Sequence, residues 1–327
     1  MKKSLIALAA LAASCAAMAQ SNVTLYGRVD ASVGSAKLNG TKTTQVSSGR
    51  LTTSRWGLRG SEDLGGGLKA NFNLETVFKS DDGTATAGSA FDRHAWIGLS
   101  GGFGALKLGK TDSSYKDLYD MSNTHNVFDS DFTPTTEAYR AGLAGYTGRP
   151  ANQIRYESPN LSGFTAGASY SMDEDVAGAP NITSLNLRYR AGGLDVGLGY
   201  QDEDKTVLAD DREFTVLAAS YNFGVARVSG QFQKVKAGDN RKDNEFALGV
   251  TVPVGAFELS AGYARSKAKN TLGGTAEKGS SLGLGATYAM SKRTKVYGGF
   301  IDGEVENASG VNTRDSRIYA IGLRHDF

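Results

Sequence analysis

The chain has 327 residues, with 36 lysines and arginines against 34 aspartates and glutamates, 42 glycines, five prolines and one cysteine. A balance this close to neutral offers no basic face to a nucleic acid, and a lone cysteine builds no disulfide framework. Aromatic and branched residues are spread too evenly for a disordered chain, and glycine at nearly twice its usual share of about 7% suits many paired strands joined by tight turns.

In chain order, Lys2 and Lys3 precede an apolar run, Leu5–Ala13, and Ala17-Met18-Ala19 is a small-x-small site. This pattern predicts a secretory signal over 1–19, cleaved before Gln20. Cys15 falls upstream of the cut. Its reading as a lipidated cysteine is the weaker one, because Ala12-Ala13-Ser14 lacks the Leu-type residue such a site prefers. Residues 20–327 then carry 34 basic and 34 acidic residues and no cysteine. They contain no apolar run of about 18 residues, so no spanning helix is expected. A transmembrane barrel remains open, since only alternate residues of its strands need be apolar.

Period two is the dominant signal, and no helical period competes with it after residue 20. In the first strand Val23, Leu25, Val29, Ala31 and Val33 share one face, which leaves Arg28 and Asp30 on the other. Trp56 and Leu58 face outward in the next, which turns Arg55 and Arg59 inward. Leu68, Ala70, Phe72 and Leu74 alternate with Lys69, Asn71, Asn73 and Glu75. Around 93–99 both parities are apolar. An arginine on the lipid face costs about 2–4 kcal/mol at the midplane, so Arg93 is expected inside, with His94 and Trp96 at the lipid interface. Further on, Ile154 and Tyr156 look outward, placing Arg149, Gln153 and Arg155 inside. Similar alternation recurs from Leu185 to Tyr288, and Tyr319, Ile321, Leu323, His325 and Phe327 share the outer face of the last strand.

Seven short connections, from Gly60–Gly67 to Met290–Arg293, alternate with eight long polar ones, from Ser35–Ser48 to Gly303–Thr313. Fifteen connections imply sixteen strands. A soluble β-sandwich also alternates, but it has no reason to sort its connections by length to two ends; a membrane barrel does. Aromatics including Trp56, Trp96, Tyr170, Tyr221, Tyr263 and Tyr288 sit near strand ends, as interface girdles do. The longest connection, Thr111–Gly148, exceeds any passive loop of a compact domain.

Four segments carry a family resemblance. They are Val23–Asp30, the hairpin Ser54–Ala70 with its Arg-Trp-Gly-Leu-Arg-Gly-Ser-Glu-Asp-Leu-Gly core, the hairpin Arg93–Gly109, and the closing Gly322-Leu323-Arg324-His325-Asp326-Phe327. Asn152–Phe164 adds a fifth. Over the full length after residue 20 the chain resembles the general Gram-negative porins, especially the beta-proteobacterial and neisserial branch. The resemblance implies an all-β, 16-stranded antiparallel transmembrane β-barrel with both termini periplasmic and a long third loop folded into the pore. It also implies a homotrimer packed through its first strands, contact with outer-membrane lipid and lipopolysaccharide, and an assembly machinery that reads Phe327. Such a channel passes small hydrophilic solutes and ions passively and needs no cofactor or metal. Arg28, Arg55, Arg93 and Arg149, placed inside by alternation, match the basic cluster that such porins set against the third loop. Asp117, Asp120, Asp129 and Asp131 are the expected acidic side, with Asp129 and Asp131 foremost because 128–132 lies where the loop tip would cross the pore. A weak anion preference follows.

Other readings are weaker. A barrel lipase or protease needs histidine beside a nucleophile or acids, and His94, His125 and His325 stand in no such motif. An adhesin would work through its loops alone. A channel selective for one solute, such as a sugar or phosphate, shares the architecture and would be told apart by a saturable block.

Overall fold

Alternation that continues along the whole chain has one outcome when no second sheet exists to cover it: the sheet closes on itself. The structure, a computed structural model, describes residues 22–327 except 87, 124–130, 144, 174–178, 207–209 and 239. The expected signal over 1–19 and Cys15 lie outside the described residues, as do His125 and Asp129. The strands are β1 (Asn22–Leu38), β2 (Thr41–Ser48), β3 (Arg55–Gly65), β4 (Leu68–Val77), β5 (His94–Gly101), β6 (Gly104–Lys110), β7 (Gln153–Glu157), β8 (Phe164–Ser171) and β9 (Ile182–Ala191). They continue as β10 (Leu194–Glu203), β11 (Arg212–Asn222), β12 (Arg227–Ala237), β13 (Lys242–Val254), β14 (Phe257–Lys269), β15 (Thr275–Ala289), β16 (Thr294–Asn307) and β17 (Asn312–Asp326). Helices α1 (Ser114–Asn123) and α2 (Thr135–Ala138) lie between β6 and β7.

All pairing is antiparallel between neighbours, and β17 returns to β1 in a register from Arg28↔Asp326 to Leu38↔Ser316. The seam ends where Phe327 N–H donates to Gly27 O at 3.0 Å and Gly27 N–H donates to Phe327 O at 3.1 Å. Seventeen segments make sixteen wall strands because β2 and β3 are two halves of one. Residues Ala31–Leu38 of β1 pair with β2, and Asn22–Arg28 pair with β3. The break at 49–54 folds inward, and Arg50, Leu51 and Thr52 are buried there.

The outer face is an apolar belt whose members include Leu25, Ile97, Leu187, Leu248 and Ile321, all exposed. A continuous apolar belt around a closed wall needs lipid, not water, against it. In β5 the expected side is reversed. Ile97 and Leu99 are the outward residues, at 62% and 41% exposure, and His94 and Trp96 face the lumen. Trp96 is no part of the girdle: Lys107 Nζ sits 5.0 Å above its ring, an inner-wall contact the sequence pattern could not distinguish from an interfacial one. Several expected loops are hairpin extensions instead. Residues 35–48 turn at Asn39–Gly40, and β14 and β15 leave only 270–274 between them.

The described residues of loop 111–152 line the inside of the barrel. Tyr115, Leu118 and Met121 of α1 are buried against Phe214, Val216, Ala218 and Val235. Phe132 packs with Leu51, Tyr297, Ile301 and Ala320, and Ala138 with Ala247 and Ala264. The wall makes room with glycine. A Cβ on Gly197 would lie 2.1 Å from Leu118 Cδ1, on Gly279 1.9 Å from Ala138 O, on Gly283 2.3 Å from Phe132 O, and on Gly299 2.7 Å from the Phe132 ring. Part of the glycine excess therefore belongs to strand interiors, where backbone approaches backbone, and not to turns.

Candidate pore constriction

The loop covers the inner wall along β8–β16, which leaves β1 and β3–β5 facing it across the lumen. On that facing wall the inward parity gathers cations. Arg28 and Arg55 are cross-strand partners of β1 and β3. Arg55 Nε lies 3.4 Å from one Glu75 carboxylate oxygen, and Arg93 Nε donates to the other at 2.7 Å. His94 Nε2 stands 4.0 Å from the same carboxylate, and Tyr26 donates its hydroxyl to it at 3.0 Å. Arg28 pairs with Asp326 at 3.4 Å and donates to Thr52 Oγ1 at 3.2 Å. Arg149 Nε lies 2.7 Å from Asp112, at the neck of the loop. The four sequence-derived arginines thus run from Arg28 and Arg55 on the wall, through Arg93 just ahead of β5, to Arg149 in the neck of the loop, and are countered by three carboxylates, Glu75, Asp112 and Asp326. Asp326 is shared with Arg324 at 2.8 Å. Below them Arg59 lies 4.9 Å over the Tyr26 ring, with no carboxylate in ion-pair distance among the described residues. Arginine keeps its charge however crowded, so the cluster cannot relax by losing protons.

The acids do not assemble into one opposing wall. Asp117 pairs with Arg155 at 2.5 Å, Asp120 with Lys116, and Asp131 with Arg50 at 2.7 Å; Asp129 lies outside the described residues. Among the described residues, each acid of the loop sits beside a base. Burial would raise the Asp112 carboxyl, but Arg149 outweighs it, with help from Lys116 and His94, and holds it below the ordinary aspartate range. Asp117 and Asp131 go the other way: burial raises both above that range, against the pull of Arg155 and Arg50 respectively.

Two residues were missed by sequence reasoning. Glu75 is the hub of the arginine cluster, and its signal was present: it occupies the inward parity of a strand flanked by inward arginines. Arg50, the partner of Asp131, lies in the break between β2 and β3, where no alternation assigns a side. Beneath the cluster a recess of about 560 Å³ opens beside Arg59, Asn71, Asn73, Trp96, Ser100 and Lys107. Charged and amide groups lining a lumen hold water and conduct hydrated solutes, and they form no constellation for bond breaking.

Residues 5–308 match the model of the Gram-negative porin family. The chain is 38% identical to outer membrane porin protein 32 of Delftia acidovorans, across 99% of this chain and 95% of the relative. It is 29% identical to the major outer membrane protein P.IB of Neisseria meningitidis, with both chains fully covered. Among solved structures it superposes on an anion-selective porin from Comamonas acidovorans with a TM-score of 0.80 and 31% identity, across 94% of this chain and all of that one. OmpT of Vibrio cholerae, solved in a trimer form, gives a TM-score of 0.74 at 18% identity and shares the fold. The chain belongs to the Gram-negative porin family. It is an outer-membrane channel of the beta-proteobacterial type, through which small hydrophilic solutes and ions diffuse passively; its named relatives are channels and not enzymes.

The opposed carboxyl shifts set a pH dependence. On acidification Asp117 and Asp131 take up protons before Asp112 does, while the arginines stay charged. Each proton removes a negative charge from the lumen, so anion preference rises on acidification. Reversal potentials across a salt gradient at pH 7 and about pH 4.5 check this. A preference that is flat or falling, or a rise undiminished in Asp117→Asn with Asp131→Asn, contradicts it.

Proposed function

We propose that the chain forms a weakly anion-selective diffusion pore, and that Arg28, Arg55, Arg93 and Arg149 are its selectivity element. One observation carries this: four arginines, following one another from the wall of β1 and β3 to the neck of the loop, share three carboxylates. With equal numbers of acids and bases after residue 20, the preference comes from placement and not from overall charge. The Comamonas porin described as anion-selective supports the same reading. At about 0.1 M salt the Debye length is near 10 Å, comparable to a constriction, so the preference shrinks as salt rises.

Three further parts of the reading concern the protein outside its pore. Residues 1–19 act as a cleaved signal. Three copies pack wall to wall through the first strands. Phe327 is an assembly determinant: its ring faces outward across Gly27 at the seam, away from the lumen, where it can be read but cannot touch a solute. The partners are outer-membrane lipid, lipopolysaccharide and the assembly machinery, with solutes and ions as cargo.

Replacing Arg55→Gln and Arg93→Gln together moves the reversal potential toward cations and leaves Glu75 with Tyr26 and His94. An untouched potential in that variant, or a cation-selective wild type at low salt, overturns the assignment and passes the role to the acids of the loop. Native mass in mild detergent gives three copies, against a stable monomer. Deleting Phe327 lowers the amount inserted in cells while conductance of any refolded barrel is kept; equal outer-membrane levels remove that assignment.

A further inference from the structure

The upper outer wall over β12–β15 carries a feature that the pore does not use. Outward and inward positions are unambiguous here, because the inward ones are covered by the third loop: Ala247 and Ala264 pack on Ala138, and Gly279 meets Ala138 O. Outward residues fall into cross-strand rows. Gly230, Leu248, Tyr263 and Leu282 form one row of the apolar belt. The next row toward the long-loop end is Phe232, Phe246, Arg265 and Ser280. Above it stand Lys234, Asn244, Lys267 and Lys278, and above that Lys236, Lys242 and Lys269.

Seven cations therefore occupy three successive rows of four adjacent strands. Lys236 faces Lys242, Lys242 faces Lys269, and Lys267 faces Lys278 as direct register partners. Neighbouring strands are about 4.8 Å apart, and like charges directly opposite destabilise a sheet. Only Lys236 has a carboxylate within ion-pair distance among the described residues, Glu213 at 2.5 Å. Among the described residues, acids border the patch without entering it: Glu213 on β11, and Glu304 and Glu306 on β16, where Glu306 is the register partner of Lys278. The side chains are exposed or half-buried, and they begin one row above Leu248, Tyr263 and Leu282.

We propose that this patch is a docking surface for the phosphate groups of the outer-leaflet glycolipid, lipopolysaccharide. The charge sign and the depth argue for that occupant. Lysines directly above a lipid-facing belt meet headgroups and not acyl chains, and their stems lie along the apolar surface with the ammonium raised to the headgroup layer. Clustered cations at that level bind multiply phosphorylated headgroups, whose oxygens lift the lysine–lysine repulsion that the bare wall retains. β16 and β17 stand between this face and β1, and β6–β11 between it and β5, so trimer contacts through the first strands leave it open to lipid. The inference rests on the lipid contact proposed above for its ligand alone, and conductance measured beside binding separates its failure from a failure of the pore reading.

The test uses the full barrel in detergent, titrated with purified lipopolysaccharide, with the same glycolipid after enzymatic dephosphorylation, and with inorganic phosphate. Lys242→Gln with Lys267→Gln and Lys269→Gln is the variant, and Lys292→Gln with Arg293→Gln, in the exposed short turn between β15 and β16, is the control. Lipopolysaccharide binds the wild type and the control, and it binds the triple variant about tenfold or more weakly, in line with about 1 kcal/mol per cation at a charged surface. Single-channel conductance stays the same in all three. Thermal unfolding without lipid keeps the outcome readable, since removing like charges leaves the variant at least as stable as the wild type. Equal binding by wild type and triple variant, equal binding of the dephosphorylated glycolipid, or full displacement by millimolar inorganic phosphate overturns the proposal. So does a variant that unfolds more readily without lipid, because the lysines would then stabilise the wall itself.

Discussion

The pore depends on one packing constraint: helix α1 and the stretch from Phe132 to Ala138 are pressed against the inside of their own barrel. Water fills a barrel of sixteen strands unless something is laid across it. Here Phe132 to Ala138 and helix α1 lie on the inner wall closely enough that their backbone touches the strands. Gly279 and Gly283 face carbonyl oxygens at distances no side chain tolerates, and Gly197 and Gly299 face Leu118 and Phe132 in the same way. Two buried clusters, one around Tyr115 and Phe214 and one around Phe132 and Tyr297, supply the apolar contact. The wall is thereby divided. One side is filled by the loop, and the other is left to conduct.

Polar contacts finish what the apolar ones begin. The descending half of the loop is hooked by wall carboxylates: Glu277 accepts from Gly142 N–H at 2.7 Å, Asp243 from Leu143 N–H at 2.5 Å, and Glu203 from Thr147 N–H at 2.6 Å. Arg314 clamps Glu137 of α2 at 2.8 Å. Buried backbone donors need such partners, and a loop lacking a ladder of its own takes them from side chains. The same economy of charge holds at the constriction, where Glu75 binds two arginines and a tyrosine. A cluster of bare arginines would repel itself. Three carboxylates hold the four guanidinium groups in place while leaving part of their field in the lumen.

Much of this was legible from alternation. The strands, their closure, the outward belt and the inward Arg28 and Arg55 all follow from period two, because a wall with lipid on one side and water on the other imposes that period everywhere. The reading failed where the imposition lapses. In β5 both parities are apolar, and Trp96 and His94 were placed outward although each has an inner-wall partner, Lys107 and Glu75. In the break at 49–54 there is no parity, so Arg50 gave no signal. Sorting by connection length found the right number of wall strands but mistook hairpins that rise past the belt for loops, since polar residues continue a strand beyond the lipid as readily as they end it. The loop acids were expected to line up against the arginines. Their positions depend on which base lies within reach after folding, which spacing along a loop does not encode.

The seating of the loop on glycine is the claim from which the constriction follows, and single-channel conductance of Gly283→Val tests it most directly. Valine suits a strand, so the wall is kept, but its Cβ would lie 2.3 Å from Phe132 O, a backbone atom that can yield only by moving the loop. The account predicts a folded barrel with conductance above wild type and weaker ion selectivity, as the loop lifts and the lumen opens. A folded Gly283→Val barrel with wild-type conductance and reversal potential would contradict it.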